Sequence, residues 1–375
     1  MTSRRLTVLF VAGLAIIVFA VWLSSRRHLE RTTDAGALVL PGMEQALNTI
    51  TEVHLVKGDD THTTLKKSAT DWTVGERGYP ADSGKVRKLL LDLASLNVVE
   101  EKTRTPANFP QLGVEDVNSP KAAGTKIEAA SPGKTYSLIV GKSASAKSGY
   151  VRVSGTEQSL LAAPSLSVDT DPKRWLDRTL IDVPQDKVKD FTIKPAEGAA
   201  YTASRPSKDK TDFAVADIPK GRELSNPTAA DPSAGALAAL TLDDVQHAPT
   251  TAPDPKTLSH ATFHTFDGLS VDVTGRKDGT RTLISVTATS SDKASEAAAQ
   301  ALTARTQGWE FEIPAYKYDG IFRPLEDLLK KPEAPPAKKA ADAKKAADAK
   351  KPAASPIPTA ASKDKSALPK ALTSK

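Results

Sequence analysis

An α+β fold, in two tandem and weakly similar modules of mainly antiparallel strands with packed helices, follows from three observations on this 375-residue chain. Short runs of alternating polarity, rich in Val, Ile, Thr and aromatic residues, fill the middle of the chain between turns made of Gly, Asp and Pro. One stretch carries the apolar stripe of an amphipathic helix. The order of these elements then recurs after roughly 140 residues. A membrane-spanning helix before this body and a disordered tail after it complete the expected plan.

The first element is "LTVLFVAGLAIIVFAVWL", Leu6–Leu23, an uncharged run of 18 residues. As a helix it covers roughly 27 Å, enough for a bilayer core. Trp22 stands where an interfacial aromatic belongs. A cleaved signal peptide needs small residues before the cut, and Trp22 and Leu23 fit that poorly. The expectation is a retained anchor over 1–28 that contacts the lipid bilayer, followed by a linker over 29–49. Arg4 and Arg5 on one side nearly balance Arg26, Arg27 and Arg31 on the other. Orientation therefore follows from the usual topology of one early span: a single pass with a short cytoplasmic amino terminus and the bulk exported.

The first module is expected over 50–187. "TEVHLVKGDDTHTTLKKSATDWTV" reads as three strands, Val53–Val56, Thr61–Lys66 and Asp71–Val74, with Gly58-Asp59-Asp60 as the first turn. A helix follows in which Val86, Leu89, Leu90, Leu93 and Leu96 make one stripe, with Asp82 or Ser83 as its cap. The turn "GERGYPAD" between them has glycines that tolerate unusual backbone angles and a proline that fixes its own. Its expected role is to aim the helix. "TKIEAA", "KTYSLIVG" and "GYVRVSG" continue as strands, and "DPKRWLDRTL" closes the module as an aromatic-bearing helix.

The second module is expected over 188–329. "VKDFTIKPAEGAAYTASRPSKDKTDFAV" again gives three strands, ending on Phe213 where the first module has Trp72. "DPSAGALAALTL" is the matching helix, with Asp231 as cap, Pro232 at its first position, and Leu237 and Leu240 facing inward. "ATFHTF", "LSVDVTGR" and "TLISVTA" are strands, and "YDGIFRPLEDLL" closes the module.

The tail over 330–375 repeats "KKAADA" and holds almost no large apolar side chains, so it lacks the burial that would offset ordering. It contains 12 lysines and four carboxylates, a charge of +8 within a total of +6. The rest of the chain is therefore slightly acidic, which makes a nucleic-acid partner a poor expectation. The tail reads as a solvated extension, or more sharply as an electrostatic contact to anionic lipid or cell-wall polymer.

The elements "DWTVGERGYPADSGKVRKLLLDL", "FPQLGV", "YSLIVGKSASAKSGYVRV" and "WLDRTLIDVPQDKVKDFTI", in that order, resemble the bacterial domain of unknown function 4340. The resemblance covers about Ile50 to Leu329, with the second module the poorer match. It implies a single-span, envelope-facing protein, of a kind often encoded near ABC-transporter components and gliding-motility-type auxiliary proteins. The family has no established catalytic residues to transfer.

With no cysteine, disulfides, zinc-thiolate sites, iron–sulfur clusters and thiol catalysis are excluded. "GKS" at Gly141–Ser143 lacks the glycine five residues before Gly141 that a phosphate loop needs, Tyr136 standing there. It reads as a hairpin connection. His260 and His264 lie in a strand-like alternation, where four residues span about 13 Å, too far to share an ion. His54 and His62 face across a hairpin without a placed third ligand. Asp169/Asp171 and Asp243/Asp244 sit in turn or capping contexts. No catalytic, cofactor or metal residue is assigned. The expected function is a non-enzymatic accessory or scaffold for a membrane complex with membrane-protein partners. The alternatives are a cell-wall polymer or polysaccharide binding module, and a hydrolase whose site only the fold assembles.

Overall fold

Alternation of apolar and polar residues produces strands across the body of the computed structural model, which describes residues 35–331 except 70, 119 and 217. Among the described residues a short helix (Met43–Ala46) and a 3-10 turn (Leu47–Thr49) precede β1 (Glu52–Lys57), β2 (His62–Lys67), β3 (Trp72–Val74) and β4 (Tyr79–Pro80). In β1, Val53 and Leu55 are fully buried while His54 between them is not, the period of two that one buried face imposes. Asp60 takes the left-handed conformation in the turn to β2, at φ 66°.

The helix Ser83–Ala94 follows β4. Asp82 caps it, its carboxylate accepting the Lys85 N–H at 3.0 Å, and Val86, Leu89, Leu90 and Leu93 are buried, as is Leu96 just beyond. Then come β5 (Asn97–Glu101), a short helix (Phe109–Leu112), β6 (Thr125–Ser131), β7 (Lys134–Ser143), β8 (Gly149–Val153) and β9 (Ser159–Ala163). These strands form a nine-stranded antiparallel sheet in the order β4-β3-β2-β1-β6-β7-β8-β9-β5.

A short strand, β10 (Thr179–Ile181), leads to β11 (Val188–Lys194), β12 (Tyr201–Ser204), β13 (Ala214–Val215), β14 (Leu240–Thr241) and β15 (Asp244–His247). After these come β16 (Ser259–Thr265), β17 (Leu269–Asp278), β18 (Arg281–Ser290) and β19 (Trp309–Glu312). The second sheet has eight strands in the order β13-β12-β11-β16-β17-β18-β19-β15. That is the order of the first sheet, strand for strand, with β4 extra. The registers agree as well: Val53 pairs with Leu65 and Leu55 with Ile127, as Phe191 pairs with Ala203 and Ile193 with Ala261. Val74 pairs with Leu65 as Val215 pairs with Ala203, so Trp72 and Phe213, each two residues earlier, occupy matching places.

One hydrophobic core runs through both sheets, and the described residues through Lys330 form one compact unit. In the second sheet Phe191 is the centre of an aromatic group, with ring centroids 5.8 Å from Phe263, 5.6 Å from Phe213 and 6.3 Å from Tyr201. Such stacked, tilted and edge contacts favour the rings beyond simple burial.

The structure departs from the sequence reading in five places. The helix expected over "DPSAGALAALTL" is a single turn, Asp231–Ala234. Gly235 weakens its continuation, and the residues beyond pair with β10 instead. Leu237 and Leu240 are nevertheless buried. Asp231 lies inside that turn and accepts the Phe213 N–H rather than capping. "DPKRWLDRTL" is a 3-10 turn, Pro172–Trp175, running into β10, and "YDGIFRPLEDLL" is split at Pro324 between the helix Ala315–Ile321 and a 3-10 turn, Leu325–Leu328. The helix Lys293–Thr306, unforeseen in sequence, packs on β18. Of the stretch expected as a linker, Val39, Leu40 and Met43 are buried, and Val39 N–H donates to Leu96 O at 2.8 Å.

Among the described residues no helix is long and apolar enough to cross a membrane. The expected anchor Leu6–Leu23 and the tail from residue 332 onward lie outside them.

Candidate functional site

Charged and aromatic side chains from distant parts of the sequence come together where the two sheets meet. The turn Gly75–Tyr79 is tied back to its own sheet, Glu76 Oε1 accepting the Thr64 N–H at 2.7 Å. From that base Arg77 reaches β15 of the second sheet, donating from Nε and Nη2 to the two carboxylate oxygens of Asp244 at 2.7 and 3.1 Å. Lys173 Nζ adds a second cation 3.2 Å from Asp244, whose side chain is only 9% exposed.

Tyr79, fully buried, packs its ring edge-on against Trp309 and Phe311 at 5.4 and 5.7 Å between centroids. Phe311 pairs with Val245 and Trp309 with His247, whereas Asp244 pairs with Glu312. Successive residues of a strand point to opposite faces. Arg77 therefore grips β15 on one face of this strand pair, and Tyr79 packs against β19 on the other. Arg305 closes the second face, donating to the Tyr79 hydroxyl at 3.3 Å and to Asp177 at 2.6 Å.

The electrostatics follow from these contacts. Burial alone would raise the Asp244 carboxyl, but the hydrogen bonds from Arg77, Val245 and Lys173 outweigh it and hold the group below its ordinary range. The same bond to Asp244 raises the Arg77 guanidinium. Burial pushes the Tyr79 hydroxyl up despite Arg305 beside it. A carboxylate held charged by two cations is a weak base, so this cluster is suited to holding two sheets together and poorly suited to proton transfer. Beside it on the Asp244 face, Arg276 makes a bidentate pair with the buried Glu310 at 2.6 and 2.7 Å, and Arg281 meets Glu312 at 2.7 Å.

The residues weighed in sequence are elsewhere or otherwise engaged. His260 and His264 both lie on the exposed face of β16, next to Thr274 at 3.3 Å and Asp190 at 2.6 Å respectively. His54 pairs in register with Thr64, and His62 with Val56, so the two histidines are not opposite each other. Asp171 caps its 3-10 turn, accepting the Lys173 N–H at 3.0 Å, and Asp169 accepts the Asp171 N–H at 2.9 Å. Gly141–Ser143 ends β7 and runs into the hairpin to β8. Asp243 pairs with Arg178 at 2.5 Å. Among the described residues no group of His, Asp or Glu is arranged to hold a metal ion.

The sequence does not single out Arg77, Arg305 or Trp309, offers Tyr79 only as packing beside the helix, and places Asp244 in a turn or capping context. A 460 Å³ cleft around Phe109 holds the buried Arg152, whose guanidinium is engaged by Val114 O, Thr156 O and Asp116.

The family model described as Domain of unknown function (DUF4340) matches residues 72–261. The chain belongs to this family. The DUF4340 match begins at Trp72, contains the Arg77–Tyr79 turn and Asp244, and ends in β16, so it spans the joint rather than either sheet alone. No curated protein and no solved structure matches the chain.

Proposed function

We propose that this chain is a membrane-anchored, envelope-facing accessory or scaffold protein without an enzymatic activity of its own, working in a membrane complex of the ABC-transporter type. The observation that carries the reading is that the polar groups weighed for chemistry hold the fold together. Asp171 caps a turn, Asp244 clamps two sheets, and His264 sits on Asp190. The uncharged run Leu6–Leu23 supplies the anchor in a single-pass arrangement at the cytoplasmic membrane, with the body exported.

The matching strand orders are read as two modules, 50–187 and 188–329, built on one duplicated plan. A joint stiffened by a bidentate ion pair and buried aromatics makes them one frame, which suits a body that presents fixed faces to membrane-protein partners. The +8 charge over 330–375 favours a further contact with anionic lipid or cell-wall polymer.

The test is purification of the tagged full chain from gently solubilised membranes, with complementation of a deletion strain by His260→Ala, His264→Ala and Asp171→Ala. Co-purifying membrane proteins and near-normal complementation by all three are expected. One stable, abundant variant that is inactive while partner capture is intact would replace this reading with a hydrolase.

A further inference from the structure

The joint between the two sheets has a counterpart at each outer end of the pair. At the joint, Ala81 bridges Leu176, Asp82 N–H donates to Trp175 O at 2.7 Å, and Asp177 N–H donates to Pro80 O at 3.0 Å. In the second sheet Leu224 bridges Leu329 in the same way. Ser225 N–H donates to Leu328 O at 2.8 Å and Lys330 N–H to Glu223 O at 2.8 Å. This pairing puts Lys220-Gly221-Arg222 where the first sheet has Arg77-Gly78-Tyr79.

Both glycines have positive φ, 66° at Gly78 and 81° at Gly221. Their surroundings differ. A Cβ on Gly78 would lie 3.6 Å from Trp309, whereas one on Gly221 would meet nothing within 4 Å. Lys220 is exposed and makes no ion pair among the described residues. With Arg222 and Lys330 it lines an open cleft of 690 Å³.

The first sheet presents the complementary edge. Glu100 pairs with Leu161 and Glu101 with Leu160, as Asp244 pairs with Glu312 and Val245 with Phe311. Glu100 therefore occupies the place of Asp244, but its side chain is 56% exposed. Val99 beside it is 47% exposed.

The connecting strand is accounted for too. Leu242 N–H donates to Arg178 O at 2.9 Å at the joint, as Val98 N–H donates to Ala37 O at 2.8 Å at the outer edge. The continuous segment that passes through the joint, from the 3-10 turn Pro172–Trp175 into β10, is thus matched at the two ends by separate pieces, 328–330 and 36–40. Lys330 and Gly36 both match Asp177, so bringing the ends together fills no other position twice.

We propose that a second copy of this chain docks its Val98–Glu101 edge onto the Lys220–Arg222 turn, head to tail, repeating between molecules the joint that exists within one. The internal joint selects this occupant, since the two outer ends repeat its two halves in register. Arg222 and Lys330 are already held by Glu326 and Glu223, and Glu100 and Glu101 have Lys102 and Arg104 beside them. Lys220, with no ion-pair partner among the described residues, supplies the cation opposite Glu100. Such pairs direct specificity more than affinity. Each copy keeps one end of each kind, so the contact builds rows or closed rings.

The absence of cysteine makes the test direct. Two differently tagged full-length copies, one Lys220→Cys and one Glu100→Cys, are co-expressed and oxidised in the cell. The mixed disulfide is expected to exceed by about tenfold that from Lys220→Cys with Glu197→Cys, because docking raises the local concentration of the first pair. In cysteine-free copies, Lys220→Glu or Glu100→Lys alone should lower co-purification of the two tags severalfold, and the two together should restore it. Cross-linking at the control level, failure of the double reversal to rescue, or trapping of a different protein by the Lys220→Cys thiol would each overturn the proposal.

Discussion

Replacing Asp244 with Asn tests the joint at its most buried charge while keeping side-chain size. The substitution leaves Arg77 and Lys173 facing an amide in place of a carboxylate that accepts from both. Breaking a buried pair from one side costs about 3–5 kcal/mol. Here the cations are partly solvated, Arg77 being 27% and Lys173 42% exposed, so water screens what remains. About 2 kcal/mol is the expected loss at pH 7, a fall of roughly 3 °C in Tm for a body of this size.

The pH dependence fixes the cause. The Asp244 carboxyl is depressed in the folded protein, so its contribution is fully present above the unfolded carboxylate pKa of about 3.9. It is lost as pH falls through the lower folded value. The gap between wild type and Asp244→Asn, followed by urea denaturation, should stay constant from pH 7 to 5 and narrow below about pH 4. A gap of the same size at pH 3.5, or none at pH 7, would refute the argument.

Other substitutions probe other parts of the fold. Leu93→Ala removes a side chain that is 1% exposed on the stripe of Ser83–Ala94, and should cost about 2–5 kcal/mol in denaturant titration. Gly275→Ala would put a Cβ into the Phe322 ring, with Tyr318 also in the way, and should destabilise by about 1–3 kcal/mol in the same titration. Asp82→Ala removes a helix cap and should lower stability by about 1 kcal/mol in thermal melts.

Local features were readable from the sequence to the extent that local chemistry produces them. The alternation of Val53 and Leu55, the stripe from Val86 to Leu96 and the cap at Asp82 each depend on neighbours a few residues away. The recurrence of strands around Trp72 and Phe213 was legible because both sheets repeat the same order of apolar runs. The joint was not, since Arg77 and Asp244 are 167 residues apart and neither carries a motif. Alignment of "RGYPAD" with "KGRELS" was the available signal. The helix Lys293–Thr306 escaped because it buries Ser295, Ala299 and Thr306 rather than large apolar residues. Its alanine content, favourable to helix, was the remaining clue. The segment 36–49 looked like a linker because its core contacts come from few residues, chiefly Val39, Leu40 and Met43.

Release of the body from the membrane is the most direct test of an anchored scaffold. Leu6–Leu23 is replaced by a cleavable export signal, so that the same body reaches the same compartment without an anchor. Complementation of a deletion strain is then measured beside the abundance and melting temperature of the exported body. For an anchored scaffold, a folded body of unchanged stability that fails to restore function is expected, because recruitment would run through the bilayer. Full restoration by the released, soluble body would contradict it.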